Sequence, residues 1–174
     1  QVDTLWTKTF GGIDEDGGSS VQQTTDEGYI IVGNTGSFGA GHGDVWLIKT
    51  DASGDTLWTK IYGESQYDYC ISDQQTQDGG YIVHGNTCSF ISGDIDVWLI
   101  KTNAFGDTLL TRTYGGSGID WGYSIQQTTD GGYIIAGTTN DYCTSHEDVY
   151  LIKTTFNGDI LWTKTYGGTG NDFS

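Results

Sequence analysis

Residues 54–60 read GDTLWTK, and the same phrase returns as VDTLWTK at 2–8, GDTLLTR at 106–112 and GDILWTK at 158–164. Trp6, Trp58, Leu110 and Trp162 are therefore 52 residues apart, and so are Asp16, Asp68, Asp120 and Asp172. Gln22, Gln74 and Gln126 keep the step, as do Asp44, Asp96 and Asp148. No insertion or deletion breaks it. A fixed period of a few tens of residues marks a solenoid, propeller or array, in which each repeat is one supersecondary unit stacked on its neighbours.

One repeat reads as four short strands. From Cys70, CISDQQT alternates, QDGG is a turn and YIVHGNT is a second strand. Asp-Gly between such runs is a strong hairpin signal. A polar loop follows, then DVWLIKT, the turn NAFG and DTLLTRTYG. In VWLIK, Val97 and Leu99 point one way and Trp98 and Ile100 the other, because strand side chains alternate. Both faces are apolar, so each sheet needs a neighbour on both sides, whereas a sandwich strand keeps one polar face. The expected fold is all-β: a β-propeller-like array of four-stranded antiparallel blades, 52 residues per blade. A parallel β-helix is the rival, but its coils are shorter and lack hairpin turns such as Asp78-Gly79.

The expected layout is an N-terminal outer strand and linker over 1–19, blades over 20–71 and 72–123, and a third blade with the start of a further repeat over 124–174. The first strands are expected to begin near Ser20, Ser72 and Ser124. Three blades cannot close a ring, so the array is expected to be incomplete here, continued by further repeats or by copies of the same chain. Trp6, Trp58, Leu110 and Trp162, on the outermost strand, are expected to pack between blades, with Leu57 and its counterparts facing one neighbour and Trp58 and its counterparts the other.

The phrases DTLWTKTFGG, SVQQTTDEGYIIVGNTGSFGAGHGDVWLIKTDASGD and SIQQTTDGGYIIAGTT resemble the repeats of secreted bacterial surface proteins of the Bacteroidetes type, found also in some archaea. The resemblance covers the whole chain. It implies a β-propeller fold and a secreted or cell-surface location. Such proteins often carry a C-terminal sorting segment, and this sequence shows none. The absence of Met, initiator included, points to a processed chain or a fragment, and Gln1 suits a mature N-terminus.

Charge excludes some partners. The net charge is −16, and the seven basic residues occupy only two repeated slots. Nucleic-acid binding needs clustered cations and anionic membrane surfaces need a basic patch, so neither is expected. No apolar run reaches the roughly 20 residues of a membrane-spanning helix.

Sites are few. Cys70 opens the first strand of its repeat and Cys88 ends the second, so a three-residue turn at Asp78–Gly80 sets them opposite each other. A Cys70–Cys88 disulfide with Cys143 free is the expectation, and reduced, buried cysteines are the alternative. His42 with Asp44, Asp94 with Asp96 and His146 with Asp148 precede the third strands. Two ligands per loop fall short of a divalent site, so turn carboxylates are expected and no cofactor, with calcium the one ion these pairs would attract. No catalytic motif occurs, and His84 shares its slot with Val32 and Ala136, which favours a packed side chain. Phe38, Tyr67, Tyr69, Phe90, Trp121 and Tyr142, in or beside loops, are the candidate contacts for a ligand or partner. Two functions remain open: a non-catalytic structural or adhesive surface protein that self-associates, or a carbohydrate- or ligand-binding propeller domain of a larger secreted protein.

Overall fold

The structure, a computed structural model, describes residues 3–90, 95–141, 146–168, 170 and 172. These residues are all-β, without a helix. The first sheet holds β1 (Asp16–Gln23), β2 (Tyr29–Thr35), β3 (Asp44–Thr50) and β4 (Thr56–Tyr62). The second holds β5 (Asp68–Gln75), β6 (Tyr81–Thr87), β7 (Asp96–Thr102) and β8 (Thr108–Tyr114). The third holds β9 (Gly118–Gln127), β10 (Tyr133–Asp141), β11 (Glu147–Thr154) and β12 (Ile160–Tyr166). Each is an antiparallel meander in sequence order. The first strands begin four to six residues before the serines expected to open them, because Asp16–Gly18, Asp68–Cys70 and Gly118–Gly122 pair with the far ends of the second strands.

The turn chemistry is the same in all three sheets. Thr76 N donates to Gly80 O at 2.9 Å and Lys101 reaches Asp78 at 2.9 Å. Thr24, Asp26 and Lys49 repeat that arrangement, as do Thr128, Asp130 and Lys153. Gly79 and Gly131 take φ of 81° and 82°, and Glu27, in the same slot, is held at 67°. A left-handed conformation costs a side-chain-bearing residue about 1–2 kcal/mol.

The sheets stack on their apolar faces. Ile30, Val32, Val45 and Leu47 of the first sheet meet Cys70, Tyr81, Val83, Trp98 and Ile100 of the second. The opposite face of the second, with Ile82, Val97 and Leu99, meets Tyr133, Ile135 and Ile152 of the third. Full burial of each aliphatic side chain contributes roughly 1.5–3 kcal/mol. Contacts between sheets run chiefly through β5 and β9, each lying on strands of the sheet before.

Volume is traded across these interfaces. Val32 packs with Cys70 in one, whereas in the next His84 stands over Gly122, where an added Cβ would lie 2.1 Å from its Nε2. His84 is 0% exposed, and burial pushes its pKa down to about 4.

The outer strand expected within residues 1–19, over Leu5–Phe10, falls in segment 3–10. The segment forms no strand, since no neighbouring strand pairs with it, yet it lies where an outer strand would. Trp6 meets Tyr29 edge-on at 5.7 Å as Trp58 meets Tyr81 at 5.9 Å. Lys8 bridges to Asp55 at 2.7 Å as Lys60 bridges to Asp107 at 2.8 Å.

Two variants test this packing. Glu27→Gly should stabilise the protein by roughly 1 kcal/mol in a denaturant titration, by relieving the left-handed side chain; a loss of stability would contradict the turn assignment. His84→Val concerns pH. Unfolded histidine takes up a proton near 6.5, but folded His84 resists to about 4, so stability falls as pH drops through that window. The slope integrates to at most about 3 kcal/mol. His84→Val should flatten it, as measured by thermal melts between pH 7 and 4.5.

Candidate functional site

Two kinds of polar structure occupy the loop end of the stack where the first strands begin. One is periodic. Asp16, Asp68, Asp120 and Asp172 each accept the N–H four residues earlier, from Gly12, Glu64, Gly116 and Gly168, at 2.7, 2.9, 2.9 and 2.8 Å. Asp68 also accepts the Thr87 hydroxyl and that of Ser89 at 2.9 Å, and Asp16 is held likewise by Thr35 and Ser37. The Thr35 hydroxyl first, then the Gly12 N–H, lowers the Asp16 carboxyl to about 2. Asp16, Asp68 and Asp120 thereby tie each connecting loop to the sheet that follows.

The second structure is aromatic and breaks the period. Tyr67 stands where the other repeats have Glu15 and Ile119, and Tyr69 where they have Gly17 and Trp121. The Tyr67 and Tyr69 rings are parallel within 3° at 5.9 Å. His42 stacks on Tyr67 at 5.3 Å, and Trp121 continues the row 6.2 Å beyond Tyr69. Tyr67 is 46% exposed. Between this row and the first sheet opens a cavity of about 510 Å³, lined by His42, Tyr67 and Tyr69 on one side and by Glu15, Gly17 and Asn34 on the other. It is open because Gly17 has no side chain: a Cβ there would meet nothing within 4 Å. The Cys70 N–H donates to the Asn34 side-chain oxygen at 2.8 Å, which holds the Asn34 amide at the cavity wall.

The loop pairs divide. His42 turns to Tyr67, while buried Asp44 accepts the Ala40 and Gly41 N–H groups at 3.0 and 3.3 Å. Burial pushes its carboxyl above the usual range. Asp96 is buried in the matching slot, and His146 and Asp148 are half-buried. Asp94, Tyr142 and Cys143 lie outside the described residues. Among the described residues, no three His, Cys, Asp or Glu side chains converge on a point that could hold a metal ion.

Phe38 and Phe90, two of the candidate contacts, occupy one slot of the repeat, 52 residues apart. Phe38 tilts on Trp46 at 5.3 Å and Phe90 on Trp98 at 5.4 Å, so both cover third-strand tryptophans. Trp6 and Trp58 pack on the tyrosines named above, and Leu110 lies beside Gly158. Trp162 is 40% exposed, its ring under the Lys164 ammonium at 5.3 Å. Leu57 and its counterparts Leu109 and Leu161 do not face a neighbouring sheet. They are exposed in every repeat, because only the alternate residues of the outer strand turn inward.

The expected Cys70–Cys88 disulfide does not form; both residues are free thiols. The turn spans five residues, Thr76–Gly80, and an irregularity between Cys70 and Ser72 shifts the register further. Cys70 therefore opposes Gly85, while the Cys88 N–H donates to Tyr67 O at 3.0 Å.

The sequence matches no established protein-family profile. It is 26% identical over 168 residues to the regulatory protein FlaEY of Caulobacter vibrioides, a match covering 87% of this chain. The chain spans only 17% of that protein's length.

Thiol counting checks the cysteine assignment. Cys70 and Cys88 should both alkylate in unfolded, unreduced protein, and Cys88, the less buried, should react faster in the native state. A peptide linking the two would overturn the register.

Proposed function

We propose that this chain is a segment of a β-propeller-like array and acts as a non-catalytic scaffold at the cell surface or outside the cell, by association with further repeats or with copies of itself. The observation that carries the proposal is a contact set that recurs with the period and is left unfilled on the third sheet. Tyr62 O–H donates to Gly106 O at 2.6 Å, and Tyr114 O–H donates to Gly158 O at 2.7 Å. Lys60 meets Asp107 at 2.8 Å, and Arg112 approaches Asp159 at 3.6 Å. Tyr166 and Lys164 hold the same slots on β12, but Tyr166 is 52% exposed and Lys164 reaches no acid among the described residues. The face behind them, Ile134, Ala136, Val149 and Leu151, matches Ile30, Val32, Val45 and Leu47, which are fully covered; here it is only half-buried.

An apolar sheet face with amphipathic residues already placed for a partner fits another repeat of the same kind. The partner's Tyr, Gly and Asp would occupy the positions of Tyr81, Gly106 and Asp107. In this reading the chain needs no cofactor and carries out no reaction of its own. The resemblance of its repeats to those of secreted bacterial surface proteins supports the location, and the acidic surface suits an exposed, soluble array. The match to a regulatory protein supports no particular task.

Sedimentation velocity over a wide concentration range tests the association. The chain should form concentration-dependent oligomers, and Leu151→Asp should shift them to monomer without loss of the β-sheet spectrum. A dilution-independent monomer would sink the proposal. Electron micrographs would then distinguish closed particles from fibres.

A further inference from the structure

We infer that the cleft between Gly17 and the Tyr67–Tyr69 pair is a binding site for a neutral oligosaccharide. The inference is independent of the association proposed above. Aromatics that serve the scaffold recur with the period: Tyr29, Tyr81 and Tyr133, or Trp46 and Trp98. Tyr67 does not, and the Tyr69 slot runs Gly, Tyr, Trp through the three sheets. β5 and β9 hold Tyr69 and Trp121 side by side, and Tyr67, just before β5, is fixed by a bridge to Gly43.

The chemistry of the cleft selects the ligand class. The His42, Tyr67 and Tyr69 rings stack in turn at 5.3 and 5.9 Å, and Tyr67, 46% exposed, presents aromatic surface to the cleft. Such surface takes the apolar C–H groups of pyranose rings, and the phenol hydroxyls serve the sugar hydroxyls. Glu15, Asn34 and His42 add donors and acceptors around a cavity of about 510 Å³, within the size range of ligand pockets. A net charge of −16 and the carboxylate of Glu15 oppose uronic or sialic acids. A quaternary ammonium is the other ligand that aromatics attract, but it is caged by rings set at angles to one another. The rings lining the cleft are stacked, Tyr67 on Tyr69 within 3° and His42 on Tyr67 within 26°, and the Asp16 and Asp68 carboxylates are already taken by hydroxyl and N–H donors. The lining suits an uncharged ligand.

The test titrates the 174-residue chain with hexasaccharides of glucose, mannose, galactose, xylose and N-acetylglucosamine, with oligogalacturonate and with tetramethylammonium. Calorimetry and tryptophan fluorescence follow binding. At least one neutral hexasaccharide should bind saturably, and neither charged probe should. Tyr67→Ala should weaken binding at least tenfold. Gly17→Leu fills the cleft where a Cβ has open space, so it should block binding with the fold intact. Phe105→Ala, on a distant exposed turn, should change nothing. Three results would overturn the inference: no binding of any neutral hexasaccharide, binding indifferent to both Tyr67→Ala and Gly17→Leu, or tetramethylammonium binding as well as the sugars.

Discussion

The central strands leave no face for water. Val45, Trp46, Leu47 and Ile48 of β3 are all buried, and so are Val97, Trp98, Leu99 and Ile100 of β7. A strand of this kind cannot end a stack without exposing apolar area of the order that drives folding itself. Each sheet therefore calls for a sheet before it and a sheet after it. The 52-residue period repeats this demand along the chain. Segment 3–10 illustrates its strength: without strand pairing it still lies on the first sheet, bringing Trp6 to Tyr29 and leaving a cavity of about 210 Å³ lined by Phe10, Trp46 and Ile48.

Apolar contact alone would let one sheet slide over another, because it has no direction. Polar groups fix the register. The Cys70 N–H reaches Asn34 and the Gly122 N–H reaches Asn86, each at 2.8 Å. The Gln75 N–H reaches Gln22 at 2.8 Å, and the Gln127 N–H reaches Gln74 at 3.0 Å. Asp68 N donates to Gly43 O, and Asp120 N donates to Ile95 O. Each interface thus satisfies backbone groups of a first strand with side chains of the previous sheet. A buried amide left unpaired costs about 1–3 kcal/mol, so a shifted stack would lose several bonds at once. The rows of Gln and Asn visible in the sequence are this register.

Periodicity made the strand count, the hairpins and the two-sided burial legible, because each is a local pattern repeated three times. The failures came from offsets that patterning does not fix. One extra residue at Gly18–Ser20 or Cys70–Ser72 alters which residues oppose. A five-residue turn in place of three carried Cys88 away from Cys70. Phe38 and Phe90 sit in loops that differ in sequence while their phenyl slots coincide 52 residues apart. The aromatic row was half visible. Tyr67, Tyr69 and Trp121 could be picked as departures from the repeat, but their convergence with His42 depends on two loops meeting, and no spacing rule gives that.

Repetition and departure from it then have different consequences. Much of what repeats joins sheets: Tyr62 and Tyr114 make the same contact, and Tyr166 holds the same slot unfilled. Whatever departs is free to meet something else. The two combine if copies associate through their sheet faces: each would add one aromatic cleft in a fixed orientation at the same end of the stack. A single open cleft of this kind binds weakly, since it orders few groups of the ligand. Several held by rigid sheets convert later contacts on one glycan chain into intramolecular events, and avidity grows without any new contact. On this view the stack that each copy adds sets the distance between clefts, and the aromatics set what they hold.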